Sequence, residues 1–179
     1  VERYEGDVVG IADELTEAYV EVFTAPPWEQ RDPAETRTAF RQRLDGDATR
    51  DGFGAWIERA EDGRIAGFVT GWVTPAPFRT DRSYGQVLER LGAEQVRESL
   101  VGAFEIDELG VLDRARGTGL GKRLLSTAAD HQPSGAWLLT WNQAHDTIAF
   151  YRRIGWHEAP VKGQETDIVV FLSPNHPNV

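Results

Sequence analysis

Residues 104–130 read FEIDELGVLDRARGTGLGKRLLSTAAD, and the fold turns on how this stretch is parsed. Its first eight residues alternate as a strand does, with Phe104 and Ile106 on one face and Leu109 and Val111 on the other. A short charged link, 112–116, follows. Gly117, Gly119 and Gly121 then stand at alternate positions, and Leu120, Leu124, Leu125 and Ala128 trace one face of a helix. Glycines where a strand turns into a helix let bare backbone N–H groups approach a ligand closely. The helix start adds positive partial charge, so the place suits phosphate. Arg114, Arg116, Lys122 and Arg123 surround the glycines, opposed by Asp113 alone, in a chain of formal net charge −10. This local excess of cation reads as an anion site.

What the loop lacks narrows the anion. A P-loop has four residues between its glycines, then Gly-Lys and a Ser or Thr that holds magnesium; here Gly121-Lys122 is followed by Arg123. The dinucleotide fingerprint G-x-G-x-x-G fails from either start, because its third glycine would fall on Lys122 or on Leu124. What remains is Arg116-x-x-Gly119-x-Gly121, preceded by Leu109-x-Val111 and followed by a leucine pair. This resembles the pyrophosphate loop of the GNAT superfamily of acyl-CoA-dependent N-acetyltransferases, whose signature is R/Q-x-x-G-x-G/A. An ordinary glycine-rich turn would read the same over six residues, so the rest of the chain has to decide.

Taken in order, the chain first offers a short strand at 1–5. A helix is expected over 7–24 with Ile11, Leu15, Ala18 and Val22 as its stripe, ended by the rigid Ala25-Pro26-Pro27-Trp28 turn. Asp32-Pro33-Ala34-Glu35 supplies an N-cap, a proline at N1 and a capping-box glutamate for a second helix, which brings Phe40 and Leu44 inward and stops at Asp45-Gly46. Two β-rich runs, 53–59 and 65–73, meet at Asp62-Gly63 and predict a hairpin. Residues 74–82 hold Pro75 and Pro77 and read as a loop. Residues 83–100 read as one helix capped by Ser83, with Gln86 at N3 and with Gly85 and Gly92 as weak points. After the central stretch come a strand at 136–141, a helix at 144–154 closed by Gly155, and two last strands at 156–159 and 166–172. A polar, proline-containing tail, 173–179, is expected to be flexible.

The order β-α-α-β-β-(α)-β-α-β-α-β-β matches the GNAT order with one helix inserted before the fourth strand. The expected fold class is therefore α/β, in the α+β sense. It is a GNAT-like central mixed, mostly antiparallel sheet flanked by helices, forming a single domain over 1–172. A second block strengthens the resemblance: Trp137-Leu138-Leu139-Thr140-Trp141-Asn142, then Ala144 and Ala149-Phe150-Tyr151, closing at Gly155-Trp156. It is similar to the family's strand ending in Asn, helix carrying Tyr, and closing Gly-aromatic. Trp156 stands where Phe is usual, and 112–115 lacks a frequent proline.

The resemblance implies a reaction and its residues. Acetyl-CoA is the co-substrate, a primary amine the acceptor, and no metal is needed. The ammonium must lose a proton, the oxyanion must meet donors, and the thiolate must be stabilised or protonated. Backbone groups of Leu109, Gly110 and Val111 would pair with the pantetheine as an added strand. The amides of Arg116, Gly117, Thr118, Gly119, Leu120 and Gly121 would take the pyrophosphate, helped by the Arg116 and Lys122 side chains. Asn142 would contact the pantetheine or simply cap the following helix. Tyr151 matches the tyrosine that faces the CoA sulfur, and also suits plain helix packing. For the base, Glu105 falls where histone-acetylating members carry a glutamate; Asp107 and Glu108 remain candidates, as does a water chain. Residues 24–31, including Trp28, together with 75–100 and 161–164 would select the acceptor.

Composition sets the outer bounds. At 179 residues, 40% apolar and 27% charged, the chain suits one soluble globular domain. No run approaches the roughly 18 apolar residues of a membrane span, and no secretory n-region or h-region opens the sequence, so a cytoplasmic address without membrane association is expected. With no cysteine, disulfides, thiolate catalysis and zinc–sulfur sites are excluded. Net acidity argues against nucleic acid as a partner and favours a cationic acceptor. His131 suits a helix-dipole partner, and His145, His157 and His176 show no metal-ligand spacing with carboxylates. Family members often dimerise, which makes a homodimer a further expectation. A different reading of the same residues is a non-catalytic acyl-CoA-binding or sensing module. A nucleotide-binding protein is a third, opposed by the absent Ser or Thr after Lys122.

Overall fold

The computed structural model describes residues 1–26, 28–130 and 132–179. Pro27 and His131 lie outside them, and with them the expected proline turn at Pro27 and the expected dipole role of His131. In chain order the elements are β1 (Glu2–Tyr4), α1 (Ala12–Phe23), α2 (Pro33–Asp47), β2 (Gly54–Arg59), β3 (Ile65–Val73), α3 (Tyr84–Leu91) and α4 (Ala93–Ser99). Then follow β4 (Phe104–Val111), α5 (Leu120–Asp130), β5 (Ala136–Trp141), α6 (His145–Arg153), β6 (His157–Glu158) and β7 (Ile168–Leu172). The strands form one sheet in the order β1-β2-β3-β4-β5-β7-β6. Pairing is antiparallel for β1–β2, β2–β3, β5–β7 and β6–β7, and parallel for β4–β5. This is the mixed, mostly antiparallel sheet that the element order implies. No described helix is long and apolar enough to cross a membrane.

The chain folds as two compact units, and the first comprises Val1–Trp72 and Asp107–Ala128. Within it, α2 starts where capping chemistry starts it. Asp32 accepts from the Glu35 N–H at 2.8 Å with Pro33 in the first turn, which satisfies an otherwise orphaned donor of α2. The first helix is shorter than the 7–24 expected. Residues 6–11 form a 3₁₀ turn, and α1 begins only at Ala12. Gly6, Gly10 and the β-branched pair Val8-Val9 give little support to a longer α-helix. The hairpin at Asp62-Gly63 forms as read: Ala60 N–H donates to Arg64 O at 2.8 Å, and Gly63 takes φ +81°. Leu15, Tyr19, Phe40, Leu44, Ile57 and Phe68 make the centre of this unit's core. Each such side chain contributes about 1.5–3 kcal/mol by leaving water.

The second unit comprises Val73–Ile106 and Ala129–Val179. The single helix expected over 83–100 is two helices, α3 and α4, because Gly92 takes φ +79° and ψ +151° and cannot continue a helix. Ser83 makes no side-chain cap, and the Gln86 amide oxygen instead accepts from the Asp167 N–H at 3.2 Å. Tyr84, Val87, Leu91, Val96 and Leu100 pack with Trp137, Ile168, Val170 and Leu172 as the core of this unit. α6 ends ahead of Gly155, whose φ of +91° closes the turn as expected. The last residues make several hydrogen bonds to the rest of this unit. Ser173 exchanges backbone and side-chain hydrogen bonds with Ala136 at 2.8 Å, and His176 Nε2 donates to Ser99 O at 2.8 Å. Asn178 reaches Glu98 O and Ser99 Oγ.

Candidate functional site

The glycine loop lies in the first unit, between β4 and α5. A 3₁₀ turn over Asp113–Ala115 leads to Arg116 in extended conformation, after which Gly117 and Gly119 take φ +75° and +81°. A Cβ at either glycine would meet nothing within 4 Å, so glycine is there for backbone conformation and the loop borders open space. Thr118 Oγ1 donates to Ala115 O at 2.7 Å and pins the loop. The first backbone N–H groups of α5 have no carbonyl partner within the helix, and they sit at its positive end. Gly110 is glycine for another reason: a Cβ there would come within 2.5 Å of the Phe68 ring.

The cations around the loop are less available than the sequence implies. Arg114 pairs with Glu21 at 2.8 Å and with Ile65 O at 2.7 Å, Arg116 pairs with Asp113 at 2.8 Å, and Arg123 lies 3.4 Å from Glu58. Lys122 is exposed and, among the described residues, joins no ion pair. Of the four cations around the loop, Lys122 alone is outside every ion pair among the described residues. Leu109 and Val111 are half-buried on β4 beside the buried Gly110.

The three carboxylates of β4 sit in unlike surroundings. Glu105, only 4% exposed, accepts a hydrogen bond from the Tyr84 hydroxyl at 2.5 Å in the second unit, and is in register with Trp137 of β5. Glu108 belongs to the first unit. Its Oε1 lies 2.5 Å from Arg43 Nη2 and accepts a long bond from the Tyr19 hydroxyl at 3.4 Å. Asp107, half-buried, adds to the field on Arg43. Burial opposes the Arg43 charge, yet Glu108 and Asp107 outweigh it and lift its pKa above the ordinary arginine value. Burial, and then the Glu108 charge, push the Tyr19 phenol up as well. None of these partners carries a motif. Arg43 and Tyr19 read as ordinary helix residues, and Tyr84 as the residue after an expected cap.

The residues of the second block lie in the second unit. Asn142 does not cap α6, whose N-cap is Ala144; its Nδ2 donates to Thr166 O at 3.1 Å and its N–H to Asp167 O at 2.9 Å. Tyr151 is 7% exposed, and its ring lies 5.4 Å from that of Phe150, 5.3 Å from that of Phe171 and 6.2 Å from that of Trp156. Among the described residues no group of three or more His, Cys, Asp or Glu could hold a metal ion.

Comparison with known proteins agrees with this architecture. A family model described as the acetyltransferase (GNAT) family matches residues 10–156. No curated protein matches the chain in sequence. Among solved structures, PH1933 of Pyrococcus horikoshii is similar at TM-score 0.60 and 17% identity, covering 90% of this chain and 88% of its own. An acetyltransferase of Thermus thermophilus gives 0.59 and 15%, with 96% and 93% covered. NAA60 of Arabidopsis thaliana, solved in complex with acetyl-CoA, gives 0.54 and 16%, with 92% and 93% covered. At these identities the likeness is one of fold.

Proposed function

The chain belongs to the acetyltransferase (GNAT) family, and from that premise we propose that it transfers the acetyl group of acetyl-CoA to a primary amine of a small molecule or peptide, by direct attack with both substrates bound. The observation that carries this reading is the glycine loop. Two left-handed glycines lead into an eleven-residue helix, and a Cβ at either would meet only open space. Such a cradle fits a pyrophosphate, whose charge the helix end and Lys122 would meet. The complex of Arabidopsis thaliana NAA60 with acetyl-CoA, on a similar fold, supports the same ligand.

The co-substrate supplies an acetyl thioester. Amides of residues 117–121 hold its pyrophosphate, the expected Arg116 N–H being spent on Asp113 O at 3.2 Å; the backbone of Leu109, Gly110 and Val111 lies along the pantetheine, and Asn142 helps to seat it. Glu105 takes the proton that the ammonium must lose, directly or through one water. Glu108 is the weaker base, because taking a proton would forfeit its ion pair with Arg43; it holds Arg43 in place instead. Tyr151 gives a proton to the departing thiolate. The net charge of −10 favours a cationic acceptor.

A second reading, an acyl-CoA-binding or sensing module without turnover, draws on the same facts. Both strand glutamates are engaged by other side chains. Calorimetric titration with acetyl-CoA, followed by thiol release against a panel of amines, separates the two. Acetyl transfer requires binding with turnover, a large loss in Glu105→Gln, and a smaller one in Tyr151→Phe. A thiol of pKa roughly 8.5 leaves without full protonation, which is why the second loss is smaller. Binding without turnover on any amine favours the sensor, and absence of binding sinks both.

A further inference from the structure

The helix pair that the resemblance does not account for, α3 and α4, delivers one side chain to the candidate base. We propose that Tyr84 is a positioning residue for Glu105: its hydroxyl holds the carboxylate in one rotation and sets its proton affinity. The proposal rests on the reading of Glu105 as the base. Both side chains are 4% exposed, and the Tyr84 hydroxyl donates to Glu105 Oε1 at 2.5 Å. That distance is typical of a hydroxyl meeting an ionised carboxylate, the stronger class of hydrogen bond. The last torsion of a glutamate is broad, so a bond to one oxygen decides where the carboxylate plane lies.

Tyr84 is itself held. The Phe78 ring meets it edge-on, with centroids 5.5 Å apart, and the Arg79 guanidinium lies over its face at 4.9 Å. Arg79 is fixed in turn by Asp81, through Nε at 2.8 Å and through Nη2. Asp81 above all, with Glu105 adding to it, keeps Arg79 charged. Trp137, in register with Glu105, has its own N–H spent on Thr74 Oγ1 at 2.7 Å, so it presents only apolar surface. Arg79, from the loop before α3, feels the Glu105 charge, and β5 itself carries no titratable side chain. In this buried setting the Tyr84 bond favours the ionised carboxylate and limits how tightly it keeps a proton. A base that must return its proton to solvent on every cycle needs that limit.

The test uses Tyr84→Phe, which keeps the ring and its contacts and removes one oxygen. Carbon-13 NMR titration of the Glu105 carboxyl is expected to show a higher pKa in Tyr84→Phe than in the parent. With an accepted amine, kcat is expected to fall about tenfold, with the amine KM and the acetyl-CoA Kd within about twofold. Combined with Glu105→Gln, Tyr84→Phe should cost nothing further, since the two act as a unit. An unchanged Glu105 titration overturns the proposal, as does a parent-like kcat or a second loss that multiplies the first. A shifted titration in a protein that acetylates no amine supports the hold of Tyr84 on Glu105 and sinks acetyl transfer.

Discussion

Glu105 and Glu108 stand three residues apart on β4 and are the same amino acid in opposite situations. Glu105 is buried against a neutral phenol, which stabilises its charge without supplying a counter-charge. Glu108 is 15% exposed on its side chain and locked to a guanidinium at 2.5 Å. Protonating Glu105 weakens a hydrogen bond from a neutral phenol, whereas protonating Glu108 gives up an ion pair with Arg43. The contrast teaches that what a carboxylate can do depends on the charge of its donor, not on its place in a strand.

The sharpest way to break this comparison is to neutralise each glutamate in turn. Glu105→Gln should lower kcat by about 10²-fold or more, the scale of a lost general base, with little change in acetyl-CoA affinity. Glu108→Gln should show the reverse pattern: activity closer to the parent, and a stability loss of about 1–3 kcal/mol from the unpaired Arg43. Urea denaturation alongside steady-state kinetics reads both. Equal kinetic losses in the two variants would end the distinction.

A smaller effect concerns the loop. Gly119→Ala forces a side chain into φ +81° and should destabilise the protein by about 1 kcal/mol, while weakening acetyl-CoA binding severalfold. No steric neighbour is involved, so loss of binding would come from a shifted backbone. An unaltered Kd by calorimetry would remove the loop from the ligand site.

The smallest effect sharpens the comparison with a third buried group, one that no salt bridge among the described residues supports. Burial depresses the His176 pKa below 6.5, partly opposed by the Ser99 carbonyl that accepts from its ring. Between the lowered folded value and 6.5 the unfolded chain binds more protons than the folded one. Stability from this group is therefore complete above pH 6.5 and is lost as pH falls through the folded value. Denaturation midpoints at pH 8 and pH 5 should differ less in His176→Gln than in the parent. An identical pH dependence in the two would exclude His176 as its source.

How much of this was legible beforehand follows the distance over which each interaction acts. A reading of Ser83 as a cap failed because Gln86, which should have completed it, bonds Asp167 instead. One helix over 83–100 failed at Gly92, since a glycine inside a helical pattern shows its φ only once both flanking segments are packed. Nothing in residues 173–179 shows in advance that Ala136, Glu98 and Ser99 will be their hydrogen-bond partners.

By itself the sequence determined the strand, glycine loop and helix of 104–130, the proline-led start of α2, the Asp62-Gly63 hairpin and the element order that marks the family. These rest on local rules: side-chain period, left-handed glycines, capping within one turn. Only the tertiary structure decided which carboxylate meets a phenol and which a guanidinium. Tyr84 reaches Glu105 across 21 positions, Arg43 reaches Glu108 across 65, and Tyr19 reaches it across 89. Periodicity carries no record of such pairs, because they exist only once the hydrophobic faces have closed and set the strand beside its helices.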